Sequence, residues 1–173
     1  VLGQLRVNEK SNEITALPKL IELLEIENCT ITIDAMGCQT NIADKIIEKK
    51  ADYVLSVKAN QPKLLEEIKD EFRFAKDIKD FETIDLNHGR IETRKCSVLN
   101  TFQHIESQSK WRNLKTLIRI DSIREFKNSD KEKEYSTRYY ISSSDGDAKF
   151  FQQVIRSHWS IENKLHWTLD VAF

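Results

Sequence analysis

Two parts of the sequence carry side chains that could bind a metal ion. Asp34 follows a run of alternating threonine and isoleucine, at the end of a predicted strand and shortly before a glycine. His158, Glu162 and His166 are spaced four residues apart, which places them on one face of a predicted helix. Carboxylates that converge on divalent cations support phosphoryl transfer, since the cations activate a water or hydroxyl and stabilise the leaving oxygen. Asp34 and Glu162 could supply two such carboxylates.

Each of these features also has a purely structural interpretation. An aspartate close before a glycine is common in turns, and polar residues interleaved with tryptophans on an amphipathic helix usually mark a solvated face. A zinc site made by His158, Glu162 and His166 is disfavoured, because ligands two helical turns apart seldom reach one tetrahedral ion. Spacing alone therefore leaves catalysis open at both positions.

The composition is typical of one globular domain. The 173 residues are 39% hydrophobic and 32% charged, which is enough to bury a core. The formal charge of -1 gives no support for a polyanionic partner, although it leaves local basic clusters open. Cys29, Cys38 and Cys96 lack the paired spacing of zinc or redox motifs, so we expect reduced thiols and a cytoplasmic protein. No apolar run reaches the roughly 20 residues of a membrane span, so no membrane partner is expected.

The first half of the chain alternates helices with strands. Apolar spacing predicts helices over residues 16–26, 41–50 and from Asn60 and Pro62 to Phe74, and strands over residues 29–35 and 53–57. Asn60 or Gln61 is expected near the N-cap of the third helix. Pro18 would lie in the first turn of its helix, where proline is tolerated. Crossovers between parallel strands must return across a sheet face, so this order predicts an α/β fold with a parallel or mixed sheet and flanking helices.

The second half begins with a mainly β block over residues 81–141. Two extended runs around residues 87–90 predict a hairpin, and runs over residues 114–123 and 135–141 predict a second hairpin across a polar loop. Asp147 then caps a long predicted helix that continues to Trp167.

Several segments in order resemble insertion-sequence transposases of the H-repeat-associated group, within the DDE superfamily and similar to the insertion-sequence-four type. The resemblance covers nearly the whole chain. The segments are Val1-Leu2-Gly3-Gln4, Lys10-Ser11-Asn12-Glu13-Ile14, Thr32-Ile33-Asp34-Ala35-Met36-Gly37-Cys38-Gln39, Lys58-Ala59-Asn60-Gln61, His88-Gly89-Arg90-Ile91-Glu92-Thr93-Arg94 and His158-Trp159-Ser160-Ile161-Glu162-Asn163.

This resemblance implies a ribonuclease H-like fold in which residues 1–173 form part of a catalytic domain and residues 81–141 are a β-rich insertion before the last helix. Asp34 would be the second catalytic aspartate and Glu162 the glutamate that completes the triad. Together they would bind Mg²⁺ or Mn²⁺ in the intact parent. The implied partner is DNA at the transposon ends, and a homodimer of the parent is left open.

The chain also departs from the family pattern. The first catalytic aspartate is expected upstream of Val1, and the start and end of the chain indicate a piece of a longer protein. Ile155, His158 and Leu169 stand where the related Tyr, Arg, Glu, Lys signature has Tyr, Arg and Lys. We therefore expect this fragment to be inactive alone.

Phosphate contacts are predicted from basic residues near the carboxylates or within the matching segments, since such contacts supply most non-specific DNA affinity. Ordinary surface charge is the alternative for each of them, and core packing is favoured over base stacking for Trp159 and Trp167. The predicted DNA-binding residues are Lys58, Arg90, Arg94, Arg156 and Lys164.

Three functions are compatible with the sequence. The first is the catalytic part of a transposase, inactive by itself. The second is a non-catalytic remnant of a mobile element that at most binds DNA. The third is a stand-alone structural or protein-binding α/β domain, because a fold does not fix a function.

Overall fold

The computed structural model describes residues 13–87, 89–127 and 131–161 of the chain. Predictions for the first 12 residues, for His88 and for Glu162 onwards lie outside the described residues. The helices are α1 (Glu13–Leu23), α2 (Thr40–Glu48), α3 (Pro62–Phe74) and α4 (Ala148–Ile161), with short 3₁₀ helices at Ala35–Gly37 and Glu106–Lys110. The strands are β1 (Thr30–Ile33), β2 (Asp52–Val57), β3 (Lys79–Asn87), β4 (Arg90–Leu99), β5 (Thr116–Phe126) and β6 (Glu134–Ser142).

All six strands join one mixed sheet in the order β1-β2-β6-β5-β4-β3. β1 and β2 are parallel, and the remaining neighbours are antiparallel. This confirms the predicted α/β class with a mixed sheet and flanking helices. The β-rich block continues the sheet of the first half through the pairing of β6 with β2, and its description as an insertion stays a prediction.

Both predicted hairpins are confirmed. β3 and β4 meet at a turn in which Gly89 has a φ of 75°, a conformation that favours glycine. The Gly89 carbonyl accepts a hydrogen bond of 2.7 Å from the Lys127 amide at the end of β5. β5 and β6 pair from Thr116↔Ser142 to Arg124↔Glu134. The turn of the first hairpin is therefore held to the next strand of the sheet.

The sheet separates two hydrophobic cores. Alternate residues of a strand point to opposite faces, so Tyr53, Leu55 and Val57 pack with α1, α2 and α3 while Val54 packs on the other side. Phe151 of α4 is fully buried in that second core. Among the described residues, none of the helices combines the length and the apolar composition that a membrane span requires.

The first helix differs from its prediction. It includes Glu13 and ends at Leu23, so Pro18 lies inside the helix and not in its first turn. A proline inside a helix costs about 3 kcal/mol or more. Leu17 and Ile21 pack in the first core, and this burial offsets the cost of the proline. Helix propensity is a local property and does not include this tertiary burial.

Gly37→Ala should lower the free energy of unfolding by about 1–3 kcal/mol, the usual cost of overpacking. An added Cβ would lie 2.2 Å from Ile33 Cγ2 and 2.9 Å from Leu17 Cδ1. Urea unfolding followed by circular dichroism measures the loss. The matched variant is Gly89→Asn, where no atom lies within 4 Å of the added Cβ and asparagine tolerates the positive φ. An equal loss in both variants would contradict the packing argument.

The three thiols should react at very different rates. Cys29 is exposed, whereas burial raises the pKa of Cys38 and of Cys96 to about 12. Because the thiolate is the reactive form, at mildly alkaline pH we expect an aromatic disulfide reagent to modify Cys29 at once and the other two only after denaturation. The absorbance of the aromatic thiolate released from the reagent, followed over time, counts the modified thiols. A fast phase that persists in Cys29→Ser would show that a buried thiol is accessible.

Candidate active site

The carboxyl ends of two parallel strands form the base of the site. β1 ends at Ile33 and is followed by Asp34, and β2 ends at Val57 and is followed by Lys58. The two strands are in register, with Ile33 paired to Leu55. Parallel strands end at the same edge of a sheet, which is where α/β proteins bind ligands. The pairing thus brings a carboxylate and an ammonium group to one edge.

The local backbone holds the Asp34 side chain in place. Asp34 is the N-cap of the 3₁₀ helix, and its Oδ1 accepts hydrogen bonds from the amides of Met36 at 3.1 Å and Gly37 at 3.5 Å. Among the described residues these contacts use Oδ1 only, so Oδ2 is left for a ligand. Asp34 is exposed despite this capping role. The turn chemistry that the sequence suggested for Asp34 is therefore present, and it is compatible with a second role.

Two amide side chains tie the loop after β2 to the loop after β1. Asn60 Nδ2 donates to the carbonyl of Ala35, and Gln61 Nε2 donates to the carbonyl of Cys38 at 2.9 Å. The sequence suggested Asn60 or Gln61 as the cap of α3. Gln61 does occupy the N-cap position, but its side chain makes no capping hydrogen bond. The long-range contact replaces the local one because the two loops lie side by side.

Helix α4 covers this edge of the sheet. Asp147 caps the helix as predicted, since its Oδ1 accepts from the amide of Phe150 at 2.7 Å. One turn before the end of the described helix, His158 Nδ1 and the Thr32 hydroxyl are hydrogen-bonded at 3.0 Å. Thr32 is two residues before Asp34 and therefore on the same face of β1. This contact brings the last described turn of α4 close to Asp34.

A cavity of about 140 Å³ lies between α4 and the sheet. Its wall from β1, β2 and β6 carries the carboxylate of Asp34 and the cationic groups of Lys58 and Arg138, and α4 supplies an imidazole and an indole. The lining residues are Thr32, Ile33, Asp34, Val54, Ser56, Lys58, Arg138, Tyr140, Ile155, His158 and Trp159. A small cavity with charges of both signs can hold an anionic group and a cation side by side.

Of the basic residues predicted to contact DNA, Lys58 alone lines this cavity within the described part of the chain. Arg94 and Arg156 both pair with Asp85 Oδ2, at 2.7 and 2.9 Å, and Arg94 also pairs with Glu92. The Arg156–Asp85 pair joins α4 to the first hairpin. Arg90 is half-buried at the start of β4.

Glu162 and Lys164, predicted as a catalytic and a DNA-binding residue, lie outside the described residues, as do His166 and Trp167. Trp159 is partly buried and packs against the second core, as predicted. It also contacts Arg138, whose guanidinium carbon lies 3.8 Å from the centre of the Trp159 ring.

Sequence reasoning missed Arg138. It lies in a β-rich run that predicted only a strand, and no local motif distinguishes it from the other arginines. Its place in the cavity follows from the pairing of β6 with β2, whose last pair is Val57↔Tyr139. Lys58 follows that pair on one strand and Arg138 precedes it on the other.

The described residues do not make a complete metal site. Nowhere in the described part of the chain do three His, Cys, Asp or Glu side chains group closely enough to hold an ion. Asp34 offers a hard oxygen ligand of the kind that Mg²⁺ and Mn²⁺ prefer. A metal centre at this position therefore needs carboxylates from outside the described residues.

The mixed sheet, the acidic strand end and the covering helix define the class of the chain, a ribonuclease H-like α/β domain. The family model described as "Transposase DDE domain" matches residues 1–173, and the chain belongs to this family. The suspected resemblance is thereby confirmed.

Two curated relatives illustrate the match. "Putative transposase YncI" of Escherichia coli O157:H7 is 48% identical over 176 residues, which cover 99% of this chain and 45% of that protein. "H repeat-associated putative transposase YhhI" of Escherichia coli strain K12 is 41% identical over 180 residues, covering 99% of this chain and 47% of that protein. The chain spans about half the length of these relatives. No solved structure matches it.

Asp34→Ala should destabilise the fold, and Asp34→Asn should not. Loss of an N-cap side chain costs about 0.5–2 kcal/mol, whereas asparagine accepts the same amide hydrogen bonds. Thermal unfolding of both variants beside the unmodified chain measures the difference. If Asp34→Asn were as unstable as Asp34→Ala, the charge and not the cap would be the stabilising feature.

Proposed function

We propose that the intact parent of this chain moves an insertion sequence by metal-dependent hydrolysis of phosphodiester bonds followed by strand transfer. The present chain, residues 1–173, supplies part of the catalytic domain, with residues 81–141 as a β-rich insertion, and acts in the cytoplasm. The observation that carries the proposal is the position of Asp34, which stands at the carboxyl end of β1 in a cavity lined by two cations, in a member of the transposase DDE family.

Asp34 and Glu162 are the proposed catalytic carboxylates. Glu162 follows His158 by four residues, which is the spacing of one helical turn. The His158 imidazole is bonded to Thr32, two residues before Asp34. A carboxylate one turn beyond His158 would therefore approach the edge of the sheet where Asp34 stands.

The donor chemistry of these residues fits a hard divalent cation. Asp34 and Glu162 would hold Mg²⁺ or Mn²⁺, which when bound activates a water or hydroxyl and stabilises the leaving oxygen. The Asp34 cap fixes one carboxylate oxygen on backbone amides, and this orients the other. A first aspartate, which the family resemblance implies upstream of Val1, would complete the set, so we expect no DNA cleavage by residues 1–173 alone.

Among the described strands, β1 is an edge to which a strand carrying this first aspartate could add. In the described part of the chain, β1 lies at one end of the strand order and pairs with β2 alone. The outer side of such an edge strand presents backbone groups that can pair with a further strand. A strand added there would end or begin beside Asp34.

DNA at the transposon ends is the proposed partner of the parent, with a homodimer as its proposed assembly. Lys58 is the predicted phosphate contact best supported by geometry, because it is exposed and lines the Asp34 cavity. Arg94 and Arg156 would have to exchange their bonds to Asp85 for phosphate. Arg90 and Lys164 complete the proposed set.

Titration of the 173-residue chain with Mn²⁺ tests the metal site. We expect paramagnetic broadening of the amide signals of residues 34–37 and of the end of α4. Asp34→Asn and Glu162→Gln should each weaken metal binding by at least about tenfold, since even outer-shell changes at metal sites cost that much. Asp34→Asn keeps the helix cap, so a loss of binding would reflect the ligand and not the fold.

The control is Asp70→Asn, which removes an exposed carboxylate from α3 that pairs only with Arg73 among the described residues. It should leave the broadening unchanged. Broadening centred elsewhere, or unaffected by both site variants, would mean that the two carboxylates do not converge and that the chain is a non-catalytic remnant.

A further inference from the structure

The arginines of the described residues fall into two groups. One group pairs with carboxylates within 4 Å. Its members are Arg73, Arg94, Arg112, Arg119, Arg124 and Arg156. Arg138 belongs to the other group, because no carboxylate of the described residues lies within 4 Å of it, although it lines the same cavity as Asp34.

The guanidinium of Arg138 is held by an aromatic ring. It lies 3.8 Å from the centre of the Trp159 ring, within the range of a cation–π contact. Trp159 in turn packs against the second core. This contact holds the guanidinium against the ring, so less side-chain entropy is lost when its N–H groups bind a ligand.

A rigid strand also fixes the backbone at Arg138. β6 pairs with β2 on one side and with β5 on the other, where Arg138 lies opposite Ile120. The register places Lys58 across from Arg138, one position beyond the last pair with β2. Two cations are thus set side by side where β2 ends, in the cavity that also holds the carboxylate of Asp34.

We propose that Arg138, held against the Trp159 ring, binds a backbone phosphate of a DNA strand in the Asp34 cavity. The proposal rests on the proposed function and adds to it a phosphate-binding residue and a positioning residue. A guanidinium binds two oxygens of one phosphate through parallel N–H groups, which a lysine cannot do. Lys58 would contact the same or the neighbouring phosphate as a point charge. The pair would hold the strand so that a phosphodiester faces Asp34.

Binding of a short fluorescein-labelled DNA duplex to the 173-residue chain, measured by fluorescence anisotropy at several salt concentrations, tests this assignment. Arg138→Ala should weaken binding about tenfold, as expected for a lost charge-assisted hydrogen bond. It should also reduce the slope of log K against log salt by about one, because one fewer phosphate is neutralised. Arg138→Lys should keep the slope and lose part of the affinity.

Variants of Trp159 separate positioning from packing. Trp159→Phe should retain most of the affinity because a phenyl ring still supports the guanidinium. Trp159→Leu should weaken binding while keeping the salt slope, because the charge remains but is no longer held. A purely structural role of Trp159 would lower the melting temperature in both variants with no difference between them in DNA affinity.

The matched control is Arg112→Ala. It removes the same charge from a half-exposed arginine that pairs with Glu48. Arg112 lies away from the cavity, near the start of β2, where its carbonyl accepts a hydrogen bond from the Tyr53 hydroxyl. Affinity and slope should match the unmodified chain.

If Arg138→Ala fails to fold, NMR spectra of the unmodified chain still test the proposal. On addition of the duplex, the side-chain Nε–H signal of Arg138 and the indole N–H signal of Trp159 should shift together. The role of Arg138 would be overturned if these two signals did not shift while DNA binds, or if Arg138→Ala and Arg112→Ala changed DNA affinity and salt slope equally. Either result would leave the proposed function unaffected. If the unmodified chain shows no salt-dependent binding of DNA, this proposal and the DNA-binding part of the proposed function both fail.

Discussion

The pairing of β6 with β2 is the contact on which both cores and the cavity depend. It joins elements about ninety residues apart in the chain, and buried polar groups hold its end: Ser142 Oγ donates to the Tyr53 carbonyl at 2.8 Å, and the Tyr53 amide donates to Ser143 Oγ at 3.0 Å. Both serines are fully buried, so these hydrogen bonds avoid the cost of unsatisfied hydroxyls. Without this pairing the β-rich half would form a separate sheet, and Arg138 would not meet Lys58.

Helix α4 depends on the same sheet for its orientation. Phe151 anchors the helix in the second core, while Gln152 Nε2 donates to the carbonyl of Arg94 and Arg156 pairs with Asp85. At its far end His158 bonds to Thr32. Contacts to both halves of the sheet therefore limit rotation of the helix. This is why α4 can present a fixed set of side chains to the cavity.

Much of the fold followed from the sequence, because periodicity and turn chemistry are local. The alternation of helices and strands, the two hairpins and the Asp147 cap were all predictable from residues close in sequence. The prediction of Pro18 in the first turn was wrong, because burial of the helix outweighs the cost of a proline inside it. Gln61 lies at the N-cap of α3 as predicted, but its side-chain amide and that of Asn60 donate to carbonyls of another loop and not to the helix.

The order of most helices and strands, the family and the position of Asp34 at a strand end could be predicted from the sequence, since each depends on neighbouring residues or on ordered motifs. The tertiary structure alone decided which charges share a site. Arg94 and Arg156 were predicted to contact phosphate, as Lys58 was, but in the fold both arginines pair with Asp85 while Lys58 lines the cavity. Arg138 carried no local signal and reached the site through strand register. Electrostatic partners are set by distances between residues remote in sequence, and those distances exist only once the sheet has formed.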